Sequence, residues 1–115
     1  MFDKFELVLI IVSDMNRSVA FYRDVLGLKL QFQSSGWSQF DVGGVGLGLH
    51  PPGEHAHVNP KSGISFGFTS PDLEKTLADL AKHNVQVIQR EQNEHVNVAV
   101  VADPDGYGVM INQPK

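Results

Sequence analysis

Cysteine is absent from this 115-residue chain. That excludes disulfides, a thiolate nucleophile and any zinc or iron–sulfur site built on thiolates. A bound metal would need His, Asp, Glu or water, and the absence fits a reducing cytoplasm. Positive charge is sparse. Nine Lys and Arg face thirteen Asp and Glu, for a net charge of −4, and the basic residues form no run or stripe. A protein that tracks phosphates would show one, so neither nucleic acid nor a membrane surface is an expected partner. Long apolar runs are also missing. The longest, Leu7–Val12, ends at Ser13-Asp14, far short of the ~20 residues that span a bilayer. The opening Met-Phe-Asp-Lys carries no basic region, apolar stretch or small-residue cleavage site, so a secretory signal is not expected and a cytoplasmic location is. Apolar material is ample: 42% of residues are hydrophobic and only 19% charged. Wholesale disorder is thereby excluded, and the length suits one domain or at most two very small ones.

The pattern along the chain repeats. Residues 5–12 are β-branched and apolar on both faces, which predicts a buried strand. Ser13 or Asp14 then caps a helix with an apolar stripe of Val19, Phe21, Tyr22, Val25 and Leu26, closed by Gly27. Leu28, Leu30 and Phe32 alternate with polar residues as a half-buried strand. Residues 37–42 and 45–50 form two more strands around a Gly43-Gly44 turn. Residues 51–62 are rich in proline and lack periodicity, as expected of a linker loop. The pattern then restarts. A strand at 64–69 precedes a helix opened by Ser70-Pro71-Asp72, with Leu73, Leu77, Leu80 and Ala81 as its stripe and Asn84 at its end. Strands at 85–89, 95–102 and 108–112 follow, the last two joined by Asp103-Pro104-Asp105-Gly106.

Residues 1–50 and 63–115 are therefore two copies of a β-α-β-β-β unit of roughly 55 residues, within a single domain. One such unit covers only one face of its sheet, so two must pair. An α+β sandwich with no functional cleft is the plainer alternative.

At this point a family resemblance appears. The segments Val12-Ser13-Asp14, Phe21-Tyr22-Arg23-Asp24-Val25-Leu26-Gly27-Leu28 and Asp103-Pro104-Asp105-Gly106-Tyr107 resemble the vicinal oxygen chelate superfamily. That group includes glyoxalase I, extradiol dioxygenases and bleomycin-resistance proteins. The resemblance spans nearly the whole chain and implies an α+β fold: two tandem β-α-β-β-β units forming a curved mixed sheet around a cleft. Enzymes of the family usually hold a divalent metal there with His and Glu. The resemblance places those donors at Leu7, about Gly48, about Gly63 and Met110, none of which ligates a hard cation usefully. A shift of two residues brings in only His50. No metal and no cofactor is therefore expected.

Strand parity gives an independent view of the cleft. It assigns Leu7, Leu9, Ile11, Trp37, Gln39, Asp41, Gly46, Gly48, His50, Gly63, Ser65, Gly67, His95, Asn97, Met110 and Asn112 to the cleft, with Ala99 and Val101 alongside. The core receives Ile64, Phe66, Phe68, Val96, Val98, Val100, Val109 and Ile111. Glycines inside strands mark close backbone approach to a ligand or to another backbone, so these glycines are expected to form an open floor of the cleft, or else to let the two half-sheets or two subunits pack tightly. Trp37 could stack on a planar ligand, and His50 and His95 carry imidazoles suited to proton transfer. His55 and His57 lie in the proline-rich loop, where solvation is the ordinary fate. No dinucleotide fingerprint, nucleophile elbow or phosphate loop is present.

The expected ligand-binding set is thus Leu7, Leu9, Trp37, Gln39, Gly48, His50, Gly63, Ser65, His95, Asn97 and Met110. The expected function is metal-independent binding of a small planar or amphipathic molecule by a homodimer. One alternative is a metal-dependent enzyme of glyoxalase or dioxygenase type, with a displaced site on His50 and either His95 or the loop histidines. Another is a purely structural or regulatory dimer.

Overall fold

The computed structural model describes residues 1–115, which divide into two units, Met1–Asn59 and Pro60–Lys115. The first unit contains β1 (Leu7–Ile11), α1 (Met15–Ala20), β2 (Lys29–Gln33), β3 (Ser38–Val42) and β4 (Val45–His50). Its sheet has the order β1-β4-β3-β2, with β1 and β4 parallel and the other pairs antiparallel. The second unit contains β5 (Phe66–Thr69), α2 (Leu73–Ala81), β6 (Val87–Gln92), β7 (Asn97–Ala102) and β8 (Gly108–Asn112). Its order, β5-β8-β7-β6, repeats the first in strand direction as well as sequence. The architecture is α+β: two four-stranded mixed sheets with one helix each.

The repeat extends to single hydrogen bonds. Asp14 and Asp72 are both N-caps, their carboxylates accepting from the backbone N–H of Arg17 and Lys75 at 3.1 Å. Val12 N–H donates to His50 O and Ser70 N–H to Asn112 O, each at 2.9 Å. The family-like segments are structural devices. After α1 the chain widens into a π-helical turn over Phe21–Val25, where Leu26 N–H donates to Phe21 O, and Leu28 N–H to Tyr22 O. That turn drives Phe21 and Tyr22 into the core, where Tyr22 packs 6.0 Å from Phe40 between ring centroids. In the second unit, Asp103 Oδ1 accepts from Asp105 and Tyr107 N–H at 2.9 Å, which shapes the β7–β8 turn.

Five expectations from the sequence need correction. First, β5 starts at Phe66, and Ile64, expected in the core, is 80% exposed. Gly63 has φ +88°, outside strand geometry, and Ser62 Oγ accepts from Ile64 N–H. Second, β6 begins at Val87 because Val85 N–H is spent capping Leu80 O at the end of α2, past Asn84 with φ +62°. Third, His95 and Val96 lie outside β7. Asn93 Oδ1 accepts from both their N–H groups, at 2.8 and 3.0 Å, making them part of a turn. Fourth, a bulge between Leu30 and Phe32 sets Phe32 opposite Gln39, leaving it 55% exposed on the far side from Leu30.

The fifth correction reverses a whole strand. Asn97, Ala99 and Val101 face the helix-side core, and Val98 and Val100 face the other way. The cause is register. In an antiparallel ladder directly opposed residues share a face, and β7 pairs Ala99 with Ile111 and Val101 with Val109. Val109 and Ile111 are buried at 0% and 4% exposure on the helix side, so Ala99 and Val101 must join them.

Candidate functional site

In the first unit, the face of the sheet away from the helix gathers six of the expected residues. Leu7 and Leu9 on β1 lie beside Gly46 and Gly48 on β4. Trp37, just before β3, and Gln39 on β3 come from the other side. The strand glycines are not open floor. A Cβ on Gly48 would sit 2.9 Å from Trp37 Cζ2, and one on Gly46 would sit 2.8 Å from Gln39 Nε2. The glycines admit the side chains of the neighbouring strand, which lie flat across them. Trp37 Nε1–H donates to Gln39 Oε1 at 3.2 Å, and Gln39 Nε2–H to Gln31 Oε1 at 3.4 Å. His50 stands edge-on to Trp37 with ring centroids 6.1 Å apart. His50 Nδ1 lies 2.6 Å from Pro51 O. A carbonyl only accepts, so Nδ1 carries the proton, and in the neutral ring Nε2 is left as an acceptor.

In the second unit, the equivalent face holds a pocket of about 310 Å³. Val98, Val100, Met110 and Gly108 supply its apolar lining, and Ser65, Gln89 and Glu91 its polar groups. Met110 stands over Gly67, where a Cβ would meet it at 3.0 Å. Of the expected residues, only Ser65 and Met110 reach this pocket. Gly63 lies in the exposed loop before β5. The His95 side chain is 81% exposed and pairs with Glu94 at 3.2 Å. Asn97 is buried on the helix side with its Oδ1 unpaired.

Sequence reasoning missed Val98, Val100, Gln89, Glu91 and Gly108. Val109 and Ile111 had already been assigned to the helix side. Carrying that parity across the Asp103–Gly106 turn would have turned Val98 and Val100 outward. Gln89 and Glu91 depend on a bulge between Val87 and Gln89, which mirrors the one at Leu30–Phe32.

A family model described as Glyoxalase/Bleomycin resistance protein/Dioxygenase superfamily matches residues 4–111. The chain belongs to this superfamily. Among curated relatives, a metallothiol transferase FosB from Lysinibacillus sphaericus is 27% identical, over 84% of this chain and 72% of the relative. Among solved structures, TnmS3, an antibiotic binding protein from Streptomyces sp. CB03234, superposes with a TM-score of 0.81 at 24% identity, covering 99% of this chain and 98% of that one. A lactoylglutathione lyase from Agrobacterium tumefaciens gives 0.80 at 18% identity, covering 98% and 95%. These structural likenesses establish the fold.

The superfamily's usual divalent metal does not fit the residues present. In β1 and β4, Leu9 lies opposite Gly48, and Leu7 lies two residues earlier. In β5 and β8, Gly67 lies opposite Met110, so the counterpart of Leu7 is Ser65 rather than Gly63. Leu7, Gly48, Ser65 and Met110 offer no carboxylate or imidazole. No three His, Asp or Glu side chains gather within either unit in a way that could hold a metal ion.

Proposed function

We propose that this chain binds a small organic molecule without the metal that its superfamily usually employs. The observation that carries this reading is the second unit's pocket. Three apolar side chains and a glycine line it, with polar groups at its two edges, Ser65 beside β5 and Gln89 and Glu91 on β6, the usual composition of a ligand site. At about 310 Å³ it falls at the lower end of the ~300–1,000 Å³ range of such sites, which suits a planar or amphipathic compound of one or two fused rings. The relatives include a named antibiotic binding protein as well as a lyase and a transferase, so likeness alone does not choose among them. The donor positions favour binding. His50, with Nδ1–H held by Pro51 O, leaves Nε2 free to ligate, but it is a single donor and no three His, Asp or Glu side chains gather to complete a site.

Carbon-13 methyl NMR of Met110, Val98 and Val100 tests the reading with a panel of bicyclic aromatics. Saturable shifts confined to these methyls, in protein stripped of metal by chelation, are the expected result. One equivalent of zinc, nickel, iron or manganese per untagged chain, lost in His50→Ala, would favour the metal-dependent alternative instead. The same proposal includes pairing with a second copy. Phe2, Phe5 and Ile64 are large, apolar and exposed, which suits an interface better than solvent. Sedimentation equilibrium at micromolar concentration should give twice 12.6 kDa, and a monomer would refute it.

A further inference from the structure

We infer that the ligand of the second unit's pocket is an organic cation: an apolar, bicyclic-sized body carrying one protonated nitrogen. This rests on the reading of that pocket as a ligand site. Glu91 is the only ionisable side chain among its lining residues. Its carboxylate has one protein partner, the Asn93 side-chain amide, which donates to Oε1 at 3.1 Å. The other oxygen is unpaired.

The nearest basic residue in sequence is turned away. Arg90 lies opposite Ala99 and so projects to the helix side. There its guanidinium donates to Val98 O at 2.8 Å and to Glu74 Oε1 at 3.0 Å. His95 pairs with Glu94 rather than Glu91. The apolar lining and the lone carboxylate therefore face the same space, and no protein cation neutralises that charge. Gln89, beside Glu91 on β6, can accept as well as donate, so the Glu91 carboxylate sets the preference of that edge of the pocket for a positively charged donor. A carboxylate ligand would instead meet Glu91 with like charge.

Three probes of one shape decide it: 2-naphthylmethylammonium, 2-naphthalenemethanol and 2-naphthoate. Each is titrated at low salt while the methyls of Met110, Val98 and Val100 are followed. The ammonium should bind about fivefold more tightly than the alcohol, the upper end of what an exposed ion pair contributes, and the naphthoate most weakly. Glu91→Gln keeps the acceptor that Asn93 uses and removes only the charge. It should remove most of the ammonium's advantage over the alcohol and most of the naphthoate's disadvantage. Equal affinity for all three probes, or a preference that survives Glu91→Gln undiminished, would overturn the cation assignment while leaving the pocket standing. Probes that shift none of the three methyls at millimolar concentration would overturn both.

Discussion

Replacing Gly48 by alanine sets two effects of known sign against each other. A glycine inside a strand costs roughly 0.5–1 kcal/mol relative to alanine, so on backbone grounds alone the change stabilises. The new methyl, however, would lie 2.9 Å from Trp37 Cζ2 and 3.1 Å from Cη2, where carbon atoms prefer about 3.5–4.0 Å. The indole has to swing outward. That breaks the Nε1–H bond to Gln39 Oε1, worth about 0.5–1.5 kcal/mol. It also adds overpacking near the low end of about 1–3 kcal/mol, because half-buried Trp37 can yield toward solvent. The sum is a net loss of about 1 kcal/mol. Urea unfolding followed by circular dichroism measures it. In a Trp37→Ala background the clash is gone, and Gly48→Ala should then stabilise by about 0.5 kcal/mol, a coupling of about 1.5 kcal/mol between the two sites. Trp37 is the only tryptophan, so its emission should also shift to the red in Gly48→Ala alone. Additive single effects, within the ~0.3–0.5 kcal/mol expected of independent sites, would show that the indole does not lie over Gly48.

Further outcomes follow from other parts of the fold. Asp14→Ala and Asp72→Ala should each cost about 1 kcal/mol in chemical denaturation, and a loss at only one of them would break the equivalence of the two caps. Gly63→Ala should cost about 1–2 kcal/mol for a left-handed residue with a Cβ and leave ligand shifts at Met110 unchanged; altered shifts would return Gly63 to the site. Long-range proton–nitrogen NMR of neutral His50 should show the Nδ1-protonated tautomer, and an Nε2-protonated ring would remove the Pro51 hydrogen bond from the argument. Val101→Thr should cost about 2 kcal/mol by burying a hydroxyl, whereas Val100→Thr should fall within about 0.5 kcal/mol of the parent. The reverse order would restore the parity first read from the sequence.

Much of the fold was legible because its signals are local. The helix openings near Asp14 and Asp72, the Gly43-Gly44 hairpin and the Asp103–Gly106 turn are each specified within four or five residues, although the second cap, expected at Ser70 or Pro71, is Asp72. The repeat follows from their order. In the first unit the expected site face was also legible: Leu7, Leu9, Trp37, Gln39, Gly48 and His50 share it, because a two-residue turn pairs Val42 with Val45 directly and carries parity across without a slip. What the pattern hid was the occupant of the glycines. A strand glycine signals close approach, yet only the register shows that the approaching groups are Trp37 and Gln39 of this same sheet.

The second unit was misread where two apolar patterns compete along one strand. Val96, Val98 and Val100 make a purer alternating stripe than Ala99 and Val101, and on hydrophobicity alone the larger residues belong inside. The ladder overrules this. Val109 and Ile111 are held against the helix side, and the Asp103–Gly106 turn pairs Ala102 with Gly108, so reversing β7 would require sliding it one residue against β8 and remaking that turn. Small Ala99 is then buried beneath the helix layer, while Val98 and Val100 are left on a face that β8 covers only with Gly108, Met110 and Asn112. A strand apolar on both faces beside a neighbour with a glycine on one face leaves a hollow lined with valine. The pocket is thus a product of register, and two of the three residues that give it polarity, Gln89 and Glu91, reach it only because a bulge in β6 shifts the edge strand by one residue.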